Sequence, residues 1–313
     1  MRISLTKERI LSFFVFVASA SFAFFAVNWF SVSLGEFIYE KNAASLYGSL
    51  NGNTGHYEDE KKQSDGEDFV INAKSIISVK FNGSKEEILF SKNDREKLPI
   101  ASLTKLMSAL VVLENYDLKQ SLTISSLASS QVGDQGSLKE GEVLPVESIF
   151  KIMLVESSNK AAFALSELVG KDEFIGLMNL RAKEMGLKNT HFEDSTGLSP
   201  GSYSTVDDLA KLSVHLFNNY PLFGEVISLK EYDLYLPDGR FHHKLINTNK
   251  LLGQLEGVVG GKTGWTDFSK GCLMVIQKDL GGEDYLIHII LGAEDRLAEM
   301  EKLINLINIF YKG

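Results

Sequence analysis

The tetrapeptide Ser-Leu-Thr-Lys occurs twice, at Ser4–Lys7 and at Ser102–Lys105. A serine three residues ahead of a lysine can perform acyl transfer if the amine sheds its proton. The neutral amine then takes the hydroxyl hydrogen and the oxygen attacks a carbonyl carbon. On a helix, positions i and i+3 share a face, so the two groups can touch. Spacing alone selects nothing, because the same pattern also begins at Ser148 and Ser157, and a capping serine followed by a solvent-reaching lysine accounts for most such pairs. The surroundings of Ser102 are different. From Ala101 to Glu114, Leu103, Leu106, Met107, Leu110, Val111 and Leu113 leave almost no polar face, which predicts a buried central helix. Desolvation there disfavours the charged form of Lys105, as a general base requires. The helix start also offers free backbone N–H groups and a positive dipole end to an oxyanion.

Two further polar groups follow in order. Ser157-Ser158-Asn159 interrupts two apolar helical stretches, and Lys262-Thr263-Gly264 is the one K-T-G in the chain. S-x-N also occurs at Ser49 and Ser91, where a turn or cap explains it, and a lone K-T-G fits an exposed strand end before a turn. The ordered trio S-x-x-K, S-x-N, K-T-G is more specific and marks penicillin-binding proteins and serine β-lactamases.

Over residues 69–313, through "IASLTKLMSALVVLE", "GSLKEGEVLPVESIFKIMLVESSNKAAFALSE", "MNLRAKEMGLKNTHFEDSTGL" and "GVVGGKTGWTDFSKGCLMV", the sequence resembles the low-molecular-mass penicillin-binding proteins, the D-alanyl-D-alanine carboxypeptidases. The resemblance implies Ser102 as nucleophile, Lys105 as its base, Ser157 as proton relay to the leaving amine, and Asn159 as a partner of Lys105 and of the substrate peptide. It implies that Lys262 and Thr263 hold the substrate carboxylate, with Lys262 also helping to keep Lys105 neutral. Gly264 would leave room for an extended peptide, and the backbone N–H groups of Ser102 and Trp265 would form the oxyanion hole. The implied substrate is a peptidoglycan stem peptide, with β-lactam antibiotics as acylating inhibitors and no cofactor.

Ser158 stands where the family often has Gly, and Asp194 and Ser202 where Asn and His are frequent, which bears on substrate preference. A class A β-lactamase needs a Glu with Asn four residues on between the second and third motifs. No Glu from 167 to 256 has that partner, so slow turnover of penicillin is the expectation. Action on D,D-cross-links, or a catalytically inactive cell-wall-binding module, are the alternatives. His242 and His243 are adjacent and no H-E-x-x-H occurs, so metal catalysis has little support.

The elements that must position these groups can be read from periodicity. "FVINAKSIISVKF" and "EEILFS" flank Asn82-Gly83 as a hairpin. Helices are predicted at "PVESIFKIMLVES", "NKAAFALSELVG", "KDEFIGLMNLRAKEMG" and, capped by Thr205, "TVDDLAKLSVHLFNNY". "GCLMVIQKD" and "DYLIHIILGA" form a second hairpin around Gly281-Gly282, and an amphipathic helix closes the chain. Cys272 reads as strand core. The expected fold is α+β and β-lactamase/transpeptidase-like: an antiparallel sheet built from N- and C-terminal strands, with a helical region inserted, plus an N-terminal transmembrane helix.

That last element is Ile10 to Leu34, 25 positions without a charged residue, long enough to span a bilayer. Ala18-Ser19-Ala20 has the form of a signal cleavage site, but the apolar run continues past it, which favours an uncleaved anchor. Lys and Arg predominate before it, in the 1–9 tail, which holds that end in the cytoplasm. Residues 35–66 read as a polar linker, and 67–313 as the catalytic domain outside a bacterial cytoplasmic membrane. Relatives often carry a C-terminal anchor; here the N-terminal segment is expected to serve instead. A net charge of −9 without a basic stripe argues against nucleic acid as a partner.

Overall fold

The computed structural model describes residues 70–311 apart from Ser84 and Asp134. The expected tail, anchor and linker (1–9, 10–34 and 35–66) lie outside the described residues. Among those described, no helix is long and apolar enough to cross a membrane.

Ser75–Phe81 (β1) and Glu86–Lys92 (β2) form the first hairpin. Leu98–Pro99 (β3) leads through a 3-10 turn, Ala101–Leu103, into the helix Thr104–Asn115 (α1). Ser121–Thr123 (β4), Ser126–Ser129 (α2) and Val143–Pro145 (β5) follow. The helical region continues with Val146–Val155 (α3), Asn159–Glu167 (α4) and Lys171–Glu184 (α5). After Tyr203–Ser204 (β6) come Val206–Asn219 (α6), capped by Thr205 as expected, and Pro221–Ser228 (α7). Glu231–Tyr235 (β7) and Phe241–Ile246 (β8) form a separate hairpin. Val258–Thr266 (β9), Lys270–Lys278 (β10), Tyr285–Ala293 (β11) and the helix Arg296–Phe310 (α8) complete the described chain.

Five strands pair in the order β2-β1-β11-β10-β9, each neighbour antiparallel. N- and C-terminal strands therefore share one sheet with the helical region inserted between them. Strands β10 and β11 are buried almost end to end because both faces are covered. Cys272, Met274 and Ile289 pack into the core that holds α1. Leu273, Val275 and Ile290 meet Met300, Leu303 and Ile307 of α8. The predicted central helix is buried from Thr104 to Val112.

Three local features were not legible. The central helix begins as a 3-10 turn in which Ala101 takes a positive φ. The β7–β8 hairpin is half-exposed and contains a register shift, which breaks strict alternation. Strand β9 contains three glycines, which lower its strand signal.

A polar row crosses the buried sheet. Ser78 Oγ lies 2.9 Å from His288 Nδ1, and His288 Nε2 lies 3.0 Å from Gln277 Oε1. Gln277 Nε2 donates to the Glu256 carbonyl, so its Oε1 accepts. The His288 proton is thereby assigned to Nε2, and Ser78 donates to Nδ1. Burial pushes the His288 pKa down to about 3. Its unfolded value is about 6.5, so between those pH values the unfolded chain binds a proton that the folded chain refuses. Stability should therefore fall with pH below 6.5, by up to about 1.4 kcal/mol per unit from this group. In denaturant titrations from pH 7 to pH 4, His288→Gln is expected to flatten that part of the slope; an unchanged slope would refute it.

Candidate active site

The chain enters the site at a strained point. Ala101 has φ +47°, in the left-handed region that a residue with a Cβ adopts at a cost of about 1 kcal/mol or more. Gly197, itself at φ +84°, backs this turn: a Cβ there would collide with the Ala101 carbonyl and lie 2.8 Å from Thr104 Oγ1. Gly197→Ala should therefore displace the turn that carries Ser102. The expected result is a loss of penicillin acylation rate of about a hundredfold, as for a misplaced reacting group, read by stopped-time labelling. A rate within twofold of the parent would count against this role.

Lys105 is fully buried, and its Nζ has three partners: Ser102 Oγ at 2.9 Å, Asn159 Oδ1 at 2.7 Å and the Thr196 carbonyl at 2.8 Å. A neutral amine has two hydrogens and one lone pair. Asn159 and Thr196 can only accept, so they take the hydrogens and the lone pair is left for the Ser102 hydroxyl. Burial brings Lys105 down to about 7, against a smaller upward pull from the charge of Asp194. An amine that exchanges its proton near neutrality is the result, as a general base would need. The desolvation read from the helix is present, and two polar partners from distant segments, Asn159 and Thr196, join Ser102 around the amine.

The second motif lies between α3 and α4. Ser158 caps α4, accepting from Ala161 N, and its hydroxyl donates to the Gln135 carbonyl. Asn159 is pinned at its other end by donation from Nδ2 to the Val132 carbonyl. Ser157 adopts φ +62°, and its Oγ accepts from Lys262 Nζ at 2.6 Å. That leaves the Ser157 hydrogen free to point elsewhere.

The third motif is on β9, the edge strand. Lys262 and Thr263 are buried, so this is not an exposed strand end. Lys262 also donates to the Thr263 carbonyl, and its pKa is held well below the usual lysine range by burial first, then by the charges of Lys105 and Arg296. A carboxylate arriving at Lys262 would oppose that depression. A Cβ at Gly264 would lie 3.0 Å from Ser102 N. The backbone at Gly264 therefore runs directly against the turn that carries Ser102, with Trp265 next along β9 and half exposed. Among the predicted residues, Ser102, Lys105 and Asn159 form one contact group, Ser157 and Lys262 another, and Gly264 abuts Ser102.

Several contributors carried no local signal. Asp194 accepts from Thr196 N, Gly197 N and Ser199 N, shaping the loop that brings the Thr196 carbonyl to Lys105. The Thr248 hydroxyl meets that of Thr263 at 2.6 Å. Arg296, at the start of α8, fits beside Gly271, where a Cβ would lie 2.9 Å from Arg296 Cβ. "DSTGL" was part of the resemblance and could have pointed to the first group; nothing local pointed to Arg296. Cys272 is buried in β10, and burial pushes its thiol up to about 11, which leaves it unreactive.

Comparison with known proteins agrees with this geometry. The family model for D-alanyl-D-alanine carboxypeptidases of the peptidase S11 type matches residues 60–295. The D-alanyl-D-alanine carboxypeptidase DacF of Bacillus subtilis is 33% identical over 244 residues, covering 74% of this chain and 61% of the relative. A D-alanyl-D-alanine endopeptidase of Pseudomonas aeruginosa is 31% identical over 194 residues, covering 60% of this chain and 62% of the relative. This chain thus spans about three-fifths of the length of these curated relatives. The crystal structure of the Streptomyces K15 DD-transpeptidase superimposes with a TM-score of 0.70 at 29% identity, covering 75% of this chain and 97% of that one. The fold is therefore a mixed α/β, penicillin-binding, transpeptidase-like fold with an antiparallel sheet. With most of its length under the family model and its three motifs gathered around one edge strand, this chain belongs to the D-alanyl-D-alanine carboxypeptidase (peptidase S11) family.

Proposed function

We propose that this chain is a serine D,D-carboxypeptidase that removes the terminal D-alanine from peptidoglycan stem peptides. The observation that carries the reading is the buried Lys105 amine, whose three contacts leave its lone pair for Ser102. Lys105 takes the Ser102 proton as Oγ bonds to the carbonyl carbon of the penultimate D-alanine, and the carbonyl oxygen becomes an oxyanion facing the N–H groups of Ser102 and Trp265. Collapse breaks the C–N bond as the Ser157 hydroxyl gives its hydrogen to the departing amine and receives in its place the proton that Lys105 took from Ser102, while Lys262 supports the Ser157 oxygen. Water then attacks the acyl-Ser102 ester, giving a proton to the neutral Lys105, which returns it to Ser102 Oγ as the C–O bond breaks. Thr263, Lys262 and the nearby guanidinium of Arg296 supply the cationic and hydroxyl environment for the substrate carboxylate. Penicillin would acylate Ser102 by the same attack and leave slowly.

The same reading places residues 10–34 across a bacterial cytoplasmic membrane as a single anchor, residues 35–66 as a linker and the catalytic domain outside. The endopeptidase names of relatives from Pseudomonas aeruginosa and Escherichia coli support a second reading, cleavage of D,D-cross-links by the same steps. The deciding experiment incubates the full chain with labelled penicillin, a D-Ala-D-Ala peptide and a cross-linked muropeptide dimer. Labelling with release of D-alanine is the expected result. Labelling with cleavage of the dimer alone would select the second reading, and no labelling would overturn both.

A further inference from the structure

One cluster of titratable side chains outside the motifs reaches the site. In the β7–β8 hairpin, Leu234 pairs with His243 and Tyr235 with Phe241, so His242 is an extra residue in β8. Such a bulge breaks strand alternation and re-aims side chains. His242 and His243 face one another, Nδ1 to Nδ1 at 2.5 Å. Each turns its Nε2 to a carboxylate: His242 to Glu142 at 3.3 Å and His243 to Glu156 at 2.8 Å. The His243–Glu156 contact is largely shielded, its side chains 16% and 14% exposed. Glu156 is the residue before Ser157.

Ser157 is a residue that needs holding. Its φ of +62° costs a non-glycine on the order of 1 kcal/mol and persists only where neighbours over-determine it. On its C-terminal side, Ser158 is fixed by its cap and by Gln135. On its N-terminal side, beyond the core packing of Val155, two hydrogen-bonding restraints come from β8 and the turn after it: His243 on the Glu156 carboxylate, and Thr248 N on the Val155 carbonyl at 3.1 Å. Thr248 also meets Thr263 on β9. The hairpin and the turn after it therefore bridge the second and third motifs, between which the Ser157–Lys262 contact lies.

We propose that His243, acting through Glu156, is a positioning residue that holds Ser157 in its left-handed conformation against Lys262. The inference rests on the reading of Ser157 as the proton relay. With His242 donating from Nδ1 to His243 Nδ1, the His243 proton is fixed on Nε2 and Glu156 meets a donor with one orientation.

The test compares His243→Ala, His243→Gln and Arg240→Ala in the full chain. Arg240 lies in the same hairpin and pairs with Asp238 in an exposed contact. Rates are expressed per site titrated with labelled penicillin, so misfolded molecules do not count. H243A is expected to lower kcat and the penicillin acylation rate about tenfold, with KM within twofold. H243Q should recover most of that loss, because its amide can still donate to Glu156, and R240A should match the parent. A parental rate in H243A, a change confined to KM, or no recovery in H243Q would overturn the proposal. If the parent is labelled by penicillin but releases no D-alanine, the proposed substrate fails, while the acylation rates still decide the role of His243.

Discussion

Ser102→Ala is expected to abolish covalent labelling by penicillin and to lower D-alanine release by about 10⁴-fold or more, the scale seen when a nucleophile is removed. The fold should survive. Ser102 lies in a 3-10 turn whose packing residues are Ala101 and Leu103, and the lost hydroxyl leaves Lys105 with Asn159 and Thr196 as partners. The melting temperature should shift by no more than a few degrees. Labelling that persists in the variant would place the acylated residue elsewhere, and Ser157 would be the next residue to test, since it also faces a buried lysine.

The second large effect is at Lys105. Lys105→Gln keeps an amide able to donate to Asn159 or Thr196 but removes the base, and a loss of about 10³-fold in kcat/KM is expected, within the range of general-base catalysis. The pH profile makes this specific. With Lys105 at about 7, the reactive form is the neutral one, so kcat/KM of the parent should rise about tenfold per pH unit below pH 7 and level above it. Lys262 meets Ser157 rather than Ser102, and under the proposed carboxylate-binding role its loss should appear chiefly in KM. Lys105→Gln should lose the acid limb. A parent profile flat from pH 5 to pH 8 would remove Lys105 from the base role.

How much of this was legible follows from which contacts are local. Leu103, Leu106, Met107 and Leu110 repeat at helical spacing and bury α1, and the i,i+3 relation of Ser102 to Lys105 is itself a local contact. Strands β10 and β11 declared themselves as apolar runs around Gly281-Gly282, as did β1 and β2 around Asn82-Gly83. The 3-10 start of the helix was not legible, because Ala101 takes a positive φ only against Gly197. The β7–β8 hairpin escaped because its bulge places His242 and His243 on one side, where sequence alone reads two scattered histidines.

The sequence by itself determined which groups are available for chemistry: a serine and lysine on an apolar helix, an S-x-N between helices and a single K-T-G, in family order. Tertiary structure decided what those groups are. Burial lowers the Lys105 pKa, and the Thr196 carbonyl, 91 residues away, and Asn159 orient its amine towards Ser102, which suits it to the proposed role of base. Ser157 meets Lys262 across 105 residues. Residue types and short spacings encode local geometry, whereas desolvation and the orientation of a lone pair exist only once distant segments close around the same few atoms.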